Sequence, residues 1–128
     1  MRPTPPPAPE PPPCPKAFCC VASTSAPPGR RLAPIAFTGP APAARERLLA
    51  VLRALPRTRL TAVEGDAIRA ECRSRLFGFV DDLEFWIDEQ ARVIHFRAAC
   101  RVGFWDLGVN RRRIEHIRRV FRALETAP

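Results

Sequence analysis

Residues 79–100 read FVDDLEFWIDEQARVIHFRAAC, and the periodicity of this stretch decides the fold. Phe79, Asp81, Leu83, Phe85 and Ile87 alternate with Val80, Asp82, Glu84, Trp86 and Asp88. Ile94, Phe96, Ala98 and Cys100 then alternate with Val93, His95, Arg97 and Arg101. A period of two sends successive side chains to opposite sides, so each run predicts a strand with one apolar and one polar face. The connection Asp88-Glu89-Gln90-Ala91-Arg92 is short enough for a hairpin.

Outward from this hairpin the chain keeps the same character for two more strands. Ile68, Ala70 and Cys72 alternate with Arg69, Glu71 and Arg73, and Leu60 and Ala62 mark a strand closed by Glu64-Gly65-Asp66. Ahead of them Leu48, Leu49, Leu52 and Leu55 recur at helical spacing, and Pro56 ends that helix. Downstream, Val102–Val109 is a loop with two glycines as turn points, followed by a helix from about Asn110, a good N-cap, to about Glu125. That helix buries Ile114, Ile117, Val120, Phe121 and Leu124. The fold expected is α+β: a helix, a four-stranded antiparallel meander sheet and a C-terminal helix, both helices on the apolar face. No strand–helix–strand unit is present, which argues against a dinucleotide or P-loop fold.

Most of the 16 prolines precede Ala43. Residues 1–42 are therefore expected to be a proline-rich leader, disordered or loosely docked, and residues 43–128 the α+β domain. The start MRPTPPPAPEPPP has no apolar core of a secretory signal, and no stretch has the ~20 apolar residues of a membrane span. The expectation is a soluble, cytoplasmic protein. The net charge is +8 and the basic residues are almost all arginine, which reads as a compositional bias and a general attraction for anions. Five cysteines, at 14, 19, 20, 72 and 100, lack the paired spacing of a metal site; no metal or cofactor is expected, and a Cys14–Cys20 disulfide is conceivable in an oxidising compartment.

Several motifs fix a family. Phe77-Gly78-Phe79-Val80-Asp81-Asp82, then Arg97-Ala98-Ala99-Cys100-Arg101-Val102-Gly103, then Asp106-Leu107-Gly108-Val109-Asn110-Arg111-Arg112-Arg113 together resemble the family catalogued as domain of unknown function 1499. Leu55-Pro56-Arg57, Arg73-Ser74 and Cys14-Pro15, with Cys20-Val21 and Ser23, fit the same pattern. The resemblance covers roughly residues 14–124. The family tends to place serines where this chain has Ala98 and Cys100, and an asparagine where it has Cys19. It implies a fold and a list of positions, and no reaction.

Chemistry is sought first on the polar face, where parity gathers Arg69, Glu71, Arg73, Asp82, Glu84, Trp86, His95, Arg97 and Arg101. If the strands are neighbours, Arg97 opposes Asp82 or Glu84. A cross-strand ion-pair ladder takes precedence there over a site in which surplus arginines grip an anion. Asp81 falls on the apolar face and must be paired or protonated, with Arg57, Arg113 or loop amides as partners. It reads as a structural lock ahead of an acid–base group. Arg111, Arg112 and Arg113 oppose the helix dipole, which calls for Asp106 or an external anion at the helix N-terminus. The sharpest functional expectation is a ligand-binding site of Arg97, Arg101, Asp106, Asn110, Arg111 and Arg113 in a non-enzymatic binding or interaction module. The alternatives are an enzyme on a small anionic substrate using Asp81 or Asp82 beside Arg73, and a structural accessory protein with an apolar patch around Trp86, Phe104 and Trp105. The expected partner is a small anion or another protein. Arg75–Val80 partly matches the aromatic consensus of RNA-recognition motifs, but Leu76, Asp82 and the buried parity of Phe79 argue against specific nucleic-acid binding.

Overall fold

In a computed structural model of the chain, the structure describes Cys14 and residues 20–24, 26, 28–75, 78–101 and 108–126. The apolar–polar alternation becomes four long strands: β3 (Thr58–Glu64), β4 (Ala67–Arg73), β5 (Val80–Asp88) and β6 (Val93–Cys100). They pair antiparallel in sequence order. Two shorter strands precede them, β1 (Cys20–Ala22) and β2 (Ile35–Ala36), and both pair antiparallel with β6. The four-stranded sheet of the sequence reading is thus a six-stranded one, drawn in part from the stretch that reading set apart as a leader. The cause is the edge left by β6. An unpaired strand edge presents a row of backbone donors and acceptors, and the chain around residues 20–36 folds back to satisfy it. All these strand pairings are antiparallel, and one isolated parallel bridge joins Ala22 to Arg31.

Two helices cover one face, α1 (Ala41–Ala54) and α2 (Val109–Thr126). In α1, Leu48 and Leu52 are fully buried, and Pro42 lies in the first turn, where its missing N–H costs nothing. In α2, Ile114, Ile117 and Phe121 form the buried stripe at the i, i+3, i+7 spacing of one helix side. Both stripes meet the sheet's apolar face, where Ile68, Leu83, Phe85, Ile94, Phe96 and Ala98 are buried. Val21, Leu32, Ile35 and Phe37 from the N-terminal segment join the same core. Phe79 departs from its parity. It is 58% exposed because β5 begins one residue later, after Gly78 at φ +66°, and its backbone is tied to Ser74 instead. Among the described residues, no helix is long and apolar enough to cross a membrane.

Candidate anion-accepting site

The polar face of the sheet is an ion-pair network. Glu84 lies opposite Arg97 in the β5–β6 register, and Arg97 Nη2 donates to Glu84 Oε1 at 3.0 Å. Arg101 reaches across two strands, donating to Glu71 Oε1 and Asp82 Oδ1 at 2.7 Å each and to Asp82 Oδ2 at 3.2 Å. Arg59 donates to the other oxygen of Glu71 at 3.0 Å. Arg101 first, and Arg59 after it, hold the Glu71 carboxyl below the usual carboxylate range. Asp82 and Glu71 in turn raise the proton affinity of Arg101. Trp86 is 6% exposed, and Phe104 and Trp105 lie outside the described residues.

His95, on the same face by parity, lies by Ser23 and Asp88. Its Nδ1 is 3.2 Å from Ser23 Oγ, and its Nε2 is 4.0 Å from Asp88 Oδ2. Ser, His and Asp in a row invite a nucleophilic reading. Ser23, however, is buried, and its hydroxyl oxygen already accepts the Phe96 N–H at 2.9 Å, so it fastens β1 to β6.

Asp81 is the lock between sheet and helix. It is 7% exposed, and Arg113 Nη1 donates to its Oδ2 at 2.9 Å. The same nitrogen donates to Oδ1 of Asn110, which is fully buried. Asn110 therefore stands inside α2 as a partner of Arg113 and not as its N-cap. Arg111 donates to the carbonyl of Gly29, and Arg118 to those of Ala33 and Pro34. These arginines clamp the N-terminal segment onto the fold. Arg97 and Arg101 on the polar face, Arg113 and Asn110 on the helix-covered face, and Arg111 beside Gly29 are three separate places, so the five described residues of the expected six do not converge. Asp106 lies outside the described residues.

Two of the cysteines are bonded to one another: Cys14 is joined to Cys20. Cys100, read from parity as a small core residue, is half-buried and also in a disulfide, whose partner lies outside the described residues. Cys72 is free and buried, its Sγ 3.1 Å from Thr58 Oγ1, and burial pushes its thiol up.

Cations do converge at one end of the sheet. Pro56 stops α1, and the chain turns through Arg57 at φ 53°, a left-handed conformation that costs a non-glycine residue about 1–3 kcal/mol. The turn is held by reciprocal bonds to the end of β4: Arg73 N–H donates to Arg57 O at 2.9 Å, and Arg57 Nε to Arg73 O at 3.2 Å. Facing it are Val109, Arg112, Arg113 and His116, which share one side of the first two turns of α2. Gly108 leads into that helix at φ +78°, where a Cβ would stand 3.1 Å from Arg112 Nη1. Together with Leu55 and Thr58 these residues line an open cleft of about 450 Å³. Four arginines and a histidine line it, and among the described residues no carboxylate does. Asp81 stands behind Arg113. Among the described residues, the Arg73 guanidinium and the His116 ring have no hydrogen-bond or ion-pair partner. Sequence reasoning missed Arg57, Arg112 and His116 as a group. The visible signal was the arginine run against the helix dipole, without the helix phase that selects two of its three members.

A family model described as protein of unknown function (DUF1499) matches residues 12–121. No curated protein matches the chain.

Proposed function

This chain belongs to the DUF1499 family of proteins of unknown function, and we propose that it is a non-enzymatic binding module that accepts an anionic group in the cleft between the α1–β3 turn and the start of α2. One observation carries the reading: Arg57, Arg73, Arg112, Arg113 and His116 line one cleft, and among the described residues no carboxylate joins them in its lining. Arg113 already has Asp81 as its counter-charge, whereas the Arg73 guanidinium and the His116 ring have no such partner among the described residues, and arginine forks match planar or tetrahedral oxyanions bidentately. The start of α2 adds the positive end of its dipole. Of the residues singled out from sequence, Arg57, Arg73, Arg112 and Arg113 line this cleft. The binding reading is favoured over acid–base catalysis because Asp81 and Asp82 each accept from a guanidinium. The Cys14–Cys20 bond favours an oxidising compartment over the cytoplasm, whose thiols are kept reduced.

Calorimetric titration with inorganic phosphate tests the reading. Losing one charge-assisted donor costs about 1.5–3 kcal/mol, so Arg73→Gln and Arg112→Gln should each weaken binding by about tenfold or more. Arg97→Gln, on the far face, should leave it unchanged. Phosphate that fails to saturate the protein, or that depends on Arg97 and not on Arg73, would sink the proposal.

A further inference from the structure

We infer that the anion this cleft accepts carries an apolar, planar body: an aryl carboxylate or aryl phosphate class of ligand, not a bare oxyanion and not a polyanion. The inference rests on the anion-accepting reading above and adds the class of ligand to it.

Three features carry it. The first is size. At about 450 Å³ the cleft falls among small-molecule sites, which run from about 300 to 1,000 Å³, and exceeds what one phosphate or carboxylate group fills. The second is the rest of the lining. Beside the cations stand Leu55, Pro56 and Val109. Leu55 packs its inner side on the core, whereas Val109 is 37% exposed, one of four large apolar side chains left open among the described residues. Val109, at the first position of the helix and next to arginines, lines the cleft where the apolar body of a ligand would cover its open side. Pockets of this composition, apolar walls with a few convergent charged groups, orient a ligand by its charge and hold it by its body. The third is the chemistry of the cations themselves. Guanidinium planes stack on flat rings as well as bonding to oxyanions, so one arginine can take the charged group while its neighbour covers the ring.

A nucleic-acid backbone is the competing polyanion, and the rest of α2 argues against it. Such a ligand needs a continued basic ridge that tracks several phosphates. Arg111 and Arg118, which would extend the ridge along the helix, are bonded to the carbonyls of Gly29, Ala33 and Pro34.

The experiment is calorimetry on the full chain with two matched pairs, inorganic phosphate against phenyl phosphate and acetate against benzoate. The aryl member of each pair should bind about tenfold tighter, as expected for covering one ring face with apolar surface. Val109→Ser should remove most of that advantage, measured as phenyl phosphate against phosphate on the same variant; Pro56→Ser, at a second wall position, should act in the same direction, and Arg97→Gln, outside the cleft, should leave the advantage intact. If phosphate binds and depends on Arg73 but phenyl phosphate binds no tighter, this inference falls and the anion-accepting reading stands. If the aryl advantage is present but survives both wall substitutions, the ring sits elsewhere and the inference falls as well. If neither phosphate nor phenyl phosphate binds, both readings fall together.

Discussion

Replacing Asp81 by asparagine keeps the volume of the side chain and removes its charge, which isolates the lock between β5 and α2. Asp81 is 7% exposed and its partner Arg113 has 15% of its side chain open. Removing one member of a buried pair leaves the other charge uncompensated and typically costs about 3–5 kcal/mol. Asn110 stays in place to accept from Arg113, and the guanidinium keeps some contact with water, so the low end, about 3 kcal/mol, is expected here. For a domain of this size that corresponds to a fall of about 12–24 °C in the unfolding midpoint. The assay is urea unfolding followed by circular dichroism, where the midpoint should move and the slope should not. Arg113→Met completes a double-mutant cycle. The double variant should be no worse than Asp81→Asn alone, because no buried charge is left without its partner. A loss below about 1 kcal/mol that adds simply to the Arg113→Met loss would refute the argument and place the pair among hydrated surface ion pairs.

Two further predictions concern the other polar groups. Arg101→Gln should destabilise the protein at neutral pH, with a gap that closes in acid. Glu71 is held below its ordinary value of 4.5 by Arg101 and Arg59, so its contribution is complete above that value and is lost as pH falls through the lower folded value. Urea midpoints of both proteins at about pH 7 and about pH 3 would show this, and a gap undiminished in acid would contradict it. Cys72, whose thiol is pushed up by burial, should resist iodoacetamide in the native protein at about pH 8 and react once urea unfolds it; rapid native modification, mapped by mass spectrometry, would count against its buried placement.

The sheet was legible in sequence where its strands are long. Period two over Phe79–Ile87 and Ile94–Cys100 placed β5 and β6 within a residue or so, and the same parity put Asp81 among the buried side chains. The Glu84–Arg97 pair was one of two registers foreseen, and the turn decided between them. β1 and β2 were illegible for a plain reason: three and two residues cannot display a period. What recruits them is the open edge of β6, more than fifty residues away, and that information is not local. The cleft failed to show for a related reason. Arg57 and Arg73 come together only through a turn whose φ of 53° no glycine announces, and the side of α2 they face depends on helix phase. Counting arginines as one pool grouped Arg97 with Arg111, which the sheet then separated.

The pairing of β1 with β6 also sets a clock on how the chain matures. Cys20 lies opposite Ala99, so the strand that is made first waits for one of the last. At a synthesis rate of about 5–20 residues per second, the intervening stretch takes about 4–16 s to appear. Throughout that interval the Cys14 and Cys20 thiols have no sheet to shelter them and are open to whatever oxidant or partner the emerging chain meets. The helix–hairpin portion from Ala41 to Arg73 needs only near neighbours and forms early; closing the far edge is a long-range event, the kind that slows folding. A chain truncated before β6 would lack the strand that both β1 and β2 pair with, leaving the cysteine-bearing segment without its place in the sheet.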